Sequence, residues 1–157
     1  MRKWFSLVVA VFWLAGCAAQ PMRPPVPAMI VIKTPALRYA DQGFVSRSQN
    51  RVKLQVYVSG QPAFEMTIGR RICILKEGCM SEKAFYRRFM GVSYPRGTLA
   101  AIVNHRPIFG GEGLEKAGDF TRQRIQTDRF DIIYAFDSES VRFKDRKHHI
   151  LITIKTL

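Results

Sequence analysis

Histidine and cysteine are scarce in this chain, which has three of each in 157 residues. His148 and His149 are adjacent, His105 stands alone, and no Glu-x-x-His motif or third ligand accompanies them. The sequence also lacks the Gly-x-Ser-x-Gly elbow of a serine hydrolase, and the glycines at 110–113 lack the Lys-Ser/Thr ending of a phosphate-binding loop. We therefore predict surface histidines, no metal, no cofactor and no enzyme activity.

No apolar run in the sequence is long enough to form a stable helix across a hydrocarbon core of ~30 Å. The longest apolar stretch near the N-terminus, Trp4 to Leu14, is interrupted only by Ser6 and follows the cations Arg2 and Lys3. A basic start followed by a short apolar run is typical of a signal peptide. An ordinary signal peptide or a short anchor helix would both fit this pattern.

Residues 14–17 favour one particular kind of signal peptide. Leu14-Ala15-Gly16-Cys17 resembles the bacterial lipobox, in which the cysteine sulfur receives a diacylglyceryl group and signal peptidase II cuts before it. The resemblance implies a lipoprotein signal peptide over residues 1–16 and a covalent lipid on Cys17, with membrane lipid as the partner of this anchor. Ala18, rather than an aspartate, follows the cysteine, which by the same resemblance implies the outer membrane.

Proline is concentrated just after Cys17, since four of the eight prolines lie between residues 18 and 28. Such a stretch predicts an extended spacer, so we expect a lipidated, proline-rich tether over residues 17–28. The remainder, residues 29–157, is long enough to bury a core and shows no internal repeat, which predicts a single domain.

Two cysteines remain after Cys17 is assigned to the lipid. Cys73 and Cys79 flank a short loop, and an exported domain lies in an oxidising compartment where such thiols usually pair. Their spacing is not C-x-x-C and no histidine ligand adjoins them, which disfavours a redox or metal site. We therefore predict a disulfide between them.

Acidic residues are few, with 12 Asp and Glu against 25 Lys and Arg and a formal net charge of +13. A basic balance of this size usually indicates nucleic acid or an anionic membrane as the partner. The cations form small clusters such as Arg70-Arg71 and Arg87-Arg88, without interleaved aromatic residues for base stacking. For an exported protein we expect no nucleic acid; anionic headgroups or a generally solvated basic surface account for the charge.

Period-2 alternation indicates that most of the domain is β-structure. Val52 to Ser59 alternates apolar and polar residues, "SGQP" reads as a turn, and Phe64, Met66 and Ile68 repeat the pattern on the return. Four further segments near the C-terminus, separated by short polar turns, are also predicted to be strands. This order predicts an antiparallel meander.

Helix signals occur only between these two β regions. Ser81 is placed to cap a helix over Glu82 to Met90, and Thr98 to cap a second helix from Leu99 to about Asn104. The predicted fold class is therefore α+β, mainly β: a curved antiparallel sheet, or open half-barrel, with two short helices inserted mid-chain.

Residues 94–111, "YPRGTLAAIVNHRPIFGG", resemble the helix of the LolB family of outer-membrane lipoprotein receptors. The segments before and after this helix are similar in order and pattern to the family's opening and closing strands, across roughly residues 39 to 155. The chain departs from the family by being shorter before the helices, by about a hairpin, and by lacking tryptophans that the family often carries in its strands.

The resemblance implies a periplasm-facing protein that binds acyl chains of a lipid or lipoprotein in an apolar cavity, in exchange with a periplasmic carrier, without making or breaking a bond. An apolar loop residue that enters the membrane is also implied, and Leu75 is a candidate. Candidate cavity residues are apolar positions of the strands and helices, each of which would equally fit ordinary core packing: Val56, Val58, Phe64, Met66, Phe85, Phe89, Leu99, Ile102, Val103, Ile132, Tyr134, Phe143 and Ile152.

A second hypothesis uses the same sheet without a cavity. The protein would then be a non-catalytic structural or interaction lipoprotein of the outer membrane. The two hypotheses differ in the interior of the domain, because a solid interior disfavours a carrier.

Overall fold

The computed structural model describes residues 21–157, and the predicted signal peptide and Cys17 lie outside these residues. Eleven strands form one antiparallel sheet. The strands are β1 (Val26–Lys33), β2 (Arg38–Arg47), β3 (Val52–Val58), β4 (Gln61–Ile68), β5 (Ile72–Ile74), β6 (Gly78–Met80), β7 (Leu114–Ala117), β8 (Phe120–Gln126), β9 (Asp131–Phe136), β10 (Ser140–Asp145) and β11 (Ile150–Thr156).

The sheet consists of two meanders joined at its centre. Its spatial order is β6-β5-β4-β3-β2-β1-β11-β10-β9-β8-β7, so β1 and β11, the first and last of the described strands, pair with each other in the middle. The edge strands β6 and β7 are not paired with each other, and the sheet is therefore unclosed. The predicted class, a mainly antiparallel β-sheet with two short helices inserted mid-chain, is confirmed.

The N-terminal boundary of the sheet lies earlier than predicted. β1 begins at Val26, whereas the tether was expected to extend to residue 28, and Ala28 is fully buried. The backbone N–H of Arg23 already donates to the carbonyl of Arg47, at 2.8 Å. The proline-rich composition predicts an irregular segment here, but Pro27 lies within β1, at an exposed position.

The first helical segment joins two kinds of helix. Helix α1 (Glu82–Phe85) begins at Ser81, whose hydroxyl accepts from the Ala84 N–H at 3.2 Å, as predicted. The chain then continues as one π-helical turn, Tyr86–Met90, which ends at Gly91 with a left-handed φ of 68°. A π turn places more residues on one face than an α turn does. The buried residues here accordingly include two adjacent pairs: Phe85, Tyr86, Phe89 and Met90.

The second helix, α2 (Thr98–Val103), starts one residue earlier than expected. Gly97, with a φ of 83°, occupies the N-cap position, so the prediction that Thr98 caps this helix is wrong. The Thr98 hydroxyl instead donates to the carbonyl of Pro95 at 2.7 Å. Leu99, Ile102 and Val103 are buried, as the apolar spacing indicated.

Both helices lie in the connection between β6 and β7, the two edges of the sheet, and their buried side chains join the inner face of the strands in one hydrophobic core. No helix within residues 21–157 is long and apolar enough to cross a membrane.

Candidate functional site

The residues predicted to line an acyl cavity are packed in the core. All of them except Val58 are 6% exposed or less and belong to one continuous hydrophobic cluster. Val58 is 49% exposed, so its assignment to a cavity is wrong. Val58 is the last residue of β3 and pairs with exposed Gln61 next to the β3–β4 turn, where the core no longer covers it. None of the predicted cavity residues lines any of the clefts described below.

A different apolar cleft lies beside the helices, with a volume of ≈ 610 Å³. We call it the helix-side cleft. It lies between the β4–β5 turn, the start of α1, the loop before α2 and α2 itself. Its lining residues are Ile68, Gly69, Arg70, Ile72, Ser81, Glu82, Lys83, Tyr86, Ser93, Tyr94, Arg96, Gly97 and Ala100.

The helix-side cleft combines an apolar interior with basic residues. Ile68, Ile72, Tyr86 and Tyr94 are each buried in the core and contribute one side to the cleft. Arg70, Lys83 and Arg96 also line it and are exposed. A ligand in this cleft therefore meets apolar surface inside and positive charge outside.

The single carboxylate of the cleft is held by structural hydrogen bonds. Glu82 accepts from the hydroxyl of Tyr86 through Oε1 and from the Gly97 N–H through Oε2, the latter at 2.8 Å. The Tyr86 hydroxyl accepts in turn from the Leu99 N–H at 3.0 Å. Burial, and next the hydrogen bond to Glu82, raise the pKa of Tyr86 far above its ordinary value. These bonds tie α1 to the start of α2 and fix one wall of the cleft.

Tyr94, whose ring packs edge-on against that of Tyr86 with the centroids 5.5 Å apart, is fixed by a buried carboxylate. Its hydroxyl donates to Oδ2 of Asp145 at 2.7 Å, and Asp145 is fully buried. His148 Nδ1 also lies 2.7 Å from Oδ2 of the same carboxylate. Burial, and next the bond to Asp145, raise the pKa of Tyr94. This Tyr94–Asp145–His148 network connects the loop before α2 to the end of β10.

A second, more polar cleft of ≈ 580 Å³ contains the isolated histidine. Nδ1 of His105 lies 2.8 Å from the Asp137 carbonyl, and its Nε2 lies 3.4 Å from a guanidinium nitrogen of Arg47. Burial lowers the pKa of His105, which favours the neutral ring. The prediction of surface histidines is thus wrong for His105 and His148, which are half-buried, and it holds for His149, which is exposed.

Cys73 and Cys79 lie at disulfide distance, with their sulfur atoms 1.99 Å apart, as predicted. They are directly opposite each other on β5 and β6. The bridge lies between the β4–β5 turn, which carries Arg70, and Ser81 at the start of α1. It therefore joins two segments that line the helix-side cleft.

Among the residues that the structure describes, no group of three or more His, Cys, Asp or Glu side chains is placed to hold a metal ion. Comparison of the chain with protein-family models, curated proteins and solved structures gives no match.

Proposed function

We propose that this chain is a lipid-anchored lipoprotein of the outer membrane, facing the periplasm, that binds an acyl chain of a lipid or lipoprotein in the helix-side cleft. The observation that carries the proposal is the apolar interior of the cleft next to exposed Arg70, Lys83 and Arg96. An acyl chain is removed from water inside, while its carboxylate or phosphate meets the cations. The cleft volume, ≈ 610 Å³, falls within the ~300–1,000 Å³ typical of small-molecule sites.

This proposal places the acyl chain beside the helices and not between the helices and the sheet, where the resemblance to LolB located it. The core residues are already packed against each other, and a chain between them would have to displace them. The helix-side cleft needs no such displacement. The proposed function involves binding and exchange, with a periplasmic carrier as the donor of the chain, and no covalent step or cofactor.

A structural or interaction lipoprotein is the second candidate. It is favoured by the packed interior, since Met66, Phe85 and Phe89, the residues best suited to contact a variable guest, lie in the core at 6% exposure or less. In that case the helix-side cleft would bind no lipid.

Filling the cleft is expected to separate the two candidates. Ala100 lines the helix-side cleft and is half-buried, so Ala100→Phe places a ring in the space proposed for the acyl chain. We expect affinity for a fluorescent fatty acid to fall by roughly tenfold or more, because excluding two methylenes at ~0.8 kcal/mol each corresponds to about that factor. The measurement is a fluorescence titration of residues 21–157 and the variant.

The matched control is Ala101→Phe, on the same helix and equally half-buried, because Ala101 does not line this cleft. Its affinity should equal that of the unchanged protein, and both variants should retain the far-UV spectrum. A second titration uses the uncharged alcohol of the same chain length. Arg96→Gln should leave the affinity for this alcohol unchanged and lower the affinity for the fatty acid. An unchanged protein that binds neither probe would contradict the carrier proposal and favour the structural lipoprotein.

The anchor has its own test at Cys17. Cys17→Ala removes the sulfur that would form the thioether, so metabolic labelling with a fatty-acid analogue should mark the unchanged chain and leave the variant unmarked. The double variant Cys73→Ala/Cys79→Ala should keep its label, because these sulfurs are joined to each other. A Cys17→Ala chain that is labelled as strongly as the unchanged one would exclude this anchor.

A further inference from the structure

Four exposed arginines lie at one end of the sheet, which we call the arginine end: Arg23, Arg51, Arg70 and Arg71. Arg23 precedes β1, Arg51 ends the β2–β3 turn, and the other two form the β4–β5 turn. The strand register places these segments side by side, because Arg47 pairs with Val52, Val52 with Ile68, and Ile68 with Ile72. Arg51 packs so closely on Gly69 that a Cβ there would lie 2.9 Å from its Cγ.

No acidic residue lies in the segments that carry these arginines. The segments 21–25, 48–51 and 69–71 contain neither Asp nor Glu. Within the described part of the chain, no carboxylate lies within salt-bridge distance of these four guanidinium groups. The Lys and Arg side chains that are paired with an acid, Lys53, Arg88, Arg124 and Arg146, lie outside these segments. Like charges gathered in this way repel each other unless an anionic partner neutralises them.

We propose that the arginine end lies against the bilayer and binds the phosphate groups of anionic lipids. The proposal rests on the proposed lipid anchor at Cys17. Five residues lie between Cys17 and Arg23, so the Cα atoms of these two residues are at most ~20 Å apart when the chain is fully extended. Because the Arg23 N–H is bonded to the Arg47 carbonyl, the anchored chain arrives at this end of the sheet and holds it near the membrane surface. Guanidinium groups bind phosphate through paired hydrogen bonds, which suits them to a headgroup layer.

The arrangement also orients the helix-side cleft. Gly69 and Arg70 belong both to the arginine end and to the lining of the cleft. The cleft therefore borders the end that faces the bilayer, which gives an acyl chain a short path from the membrane. The turns on the other half of this end carry Asp119, Asp137 and Glu139, so contact is confined to the side of β2 to β5.

Hydrogen–deuterium exchange on the lipidated full chain tests this orientation. The chain is reconstituted in vesicles of phosphatidylcholine alone and in vesicles that also contain phosphatidylglycerol. We expect several-fold slower amide exchange in the turns 48–51 and 69–71 when the anionic lipid is present, and no such change in the turns 127–130 and 146–149 at the opposite end. Raising the salt to ~1 M should abolish the difference, because it shortens the screening length to ~3 Å.

The variant Arg23→Gln/Arg51→Gln should lose this protection, and it leaves Arg70 of the cleft in place. The matched control is Lys33→Gln/Arg38→Gln. It removes two exposed cations where β1 and β2 meet at the other end of the sheet, and it should retain the lipid-dependent protection. Equal loss in both variants, equal protection on both kinds of vesicle, or protection at the opposite end would overturn the proposal. Lipid-dependent protection together with a failed fatty-acid titration would support membrane binding by the arginine end and contradict only acyl binding in the cleft. A full-length chain that takes up no fatty-acid label would contradict the lipid anchor itself.

Discussion

Met66→Glu is expected to unfold the domain, although Met66 was a candidate for a cavity wall. The side chain is 2% exposed and lies on β4 between Leu54 of β3 and Ile74 of β5 in the ladder. A carboxylate there has no cation or donor to pair with, and burying one unpaired costs several kcal/mol. Since whole domains are stable by only about 5–15 kcal/mol, the variant should lose most or all of its cooperative melting transition. Circular dichroism melts of residues 21–157 measure this.

Val58→Glu is the matched control for this substitution. Val58 was a candidate for the same cavity, but it is 49% exposed next to the β3–β4 turn. Its replacement should change stability by about 0.5 kcal/mol or less, as is usual for an exposed position. If Met66→Glu instead melts like the unchanged protein, water reaches its side chain, and a cavity between sheet and helices becomes the better location for an acyl chain.

The strands were predictable because their burial follows the pleat of the sheet. In β3 and β4 the apolar residues alternate with polar ones, and the inner face they define is the observed core face. The disulfide was predictable for a similar reason, since only two cysteines remained near each other in the chain. Both signals are local in the sequence, so they can be identified without knowledge of the fold.

The helix-side cleft could not be predicted from the sequence. Its walls come from the β4–β5 turn, α1 and the loop before α2, and these meet only because the chain crosses from one edge of the sheet to the other. The π turn at Tyr86–Met90 also has no periodic signal of its own, since Phe85 and Phe89 fit an α-helix equally well. The exposure of Val58 could not be predicted either, because the alternation of β3 does not show that the core ends before its last residue.

Asp145 is the other residue whose role the sequence concealed. It ends β10, opposite Ile132 of β9 and Ile150 of β11, and thus points into the core with them. Besides Tyr94 and His148 it accepts from the N–H of Lys147, at 3.0 Å, in the turn before β11. An aspartate beside a polar turn reads as a solvated residue, yet this one is fully buried and joins the sheet to the wall of the cleft.

Asp145→Ala is expected to destabilise the domain by about 3–5 kcal/mol, because it leaves several buried donors unpaired at once. Tyr94→Phe removes only the donor on the helix side, and the carboxylate keeps its other bonds, so we expect about 1 kcal/mol. The double variant should be about as unstable as Asp145→Ala alone, because the hydroxyl has already lost its acceptor. Chemical unfolding of the four proteins measures these differences.

Asp137→Ala is the control, since Asp137 caps its turn through the N–H groups of Glu139 and Ser140 at 2.7 Å each but binds no buried tyrosine. Additive losses for Tyr94→Phe and Asp145→Ala would show that the two side chains act independently and that the network does not fix the wall of the cleft.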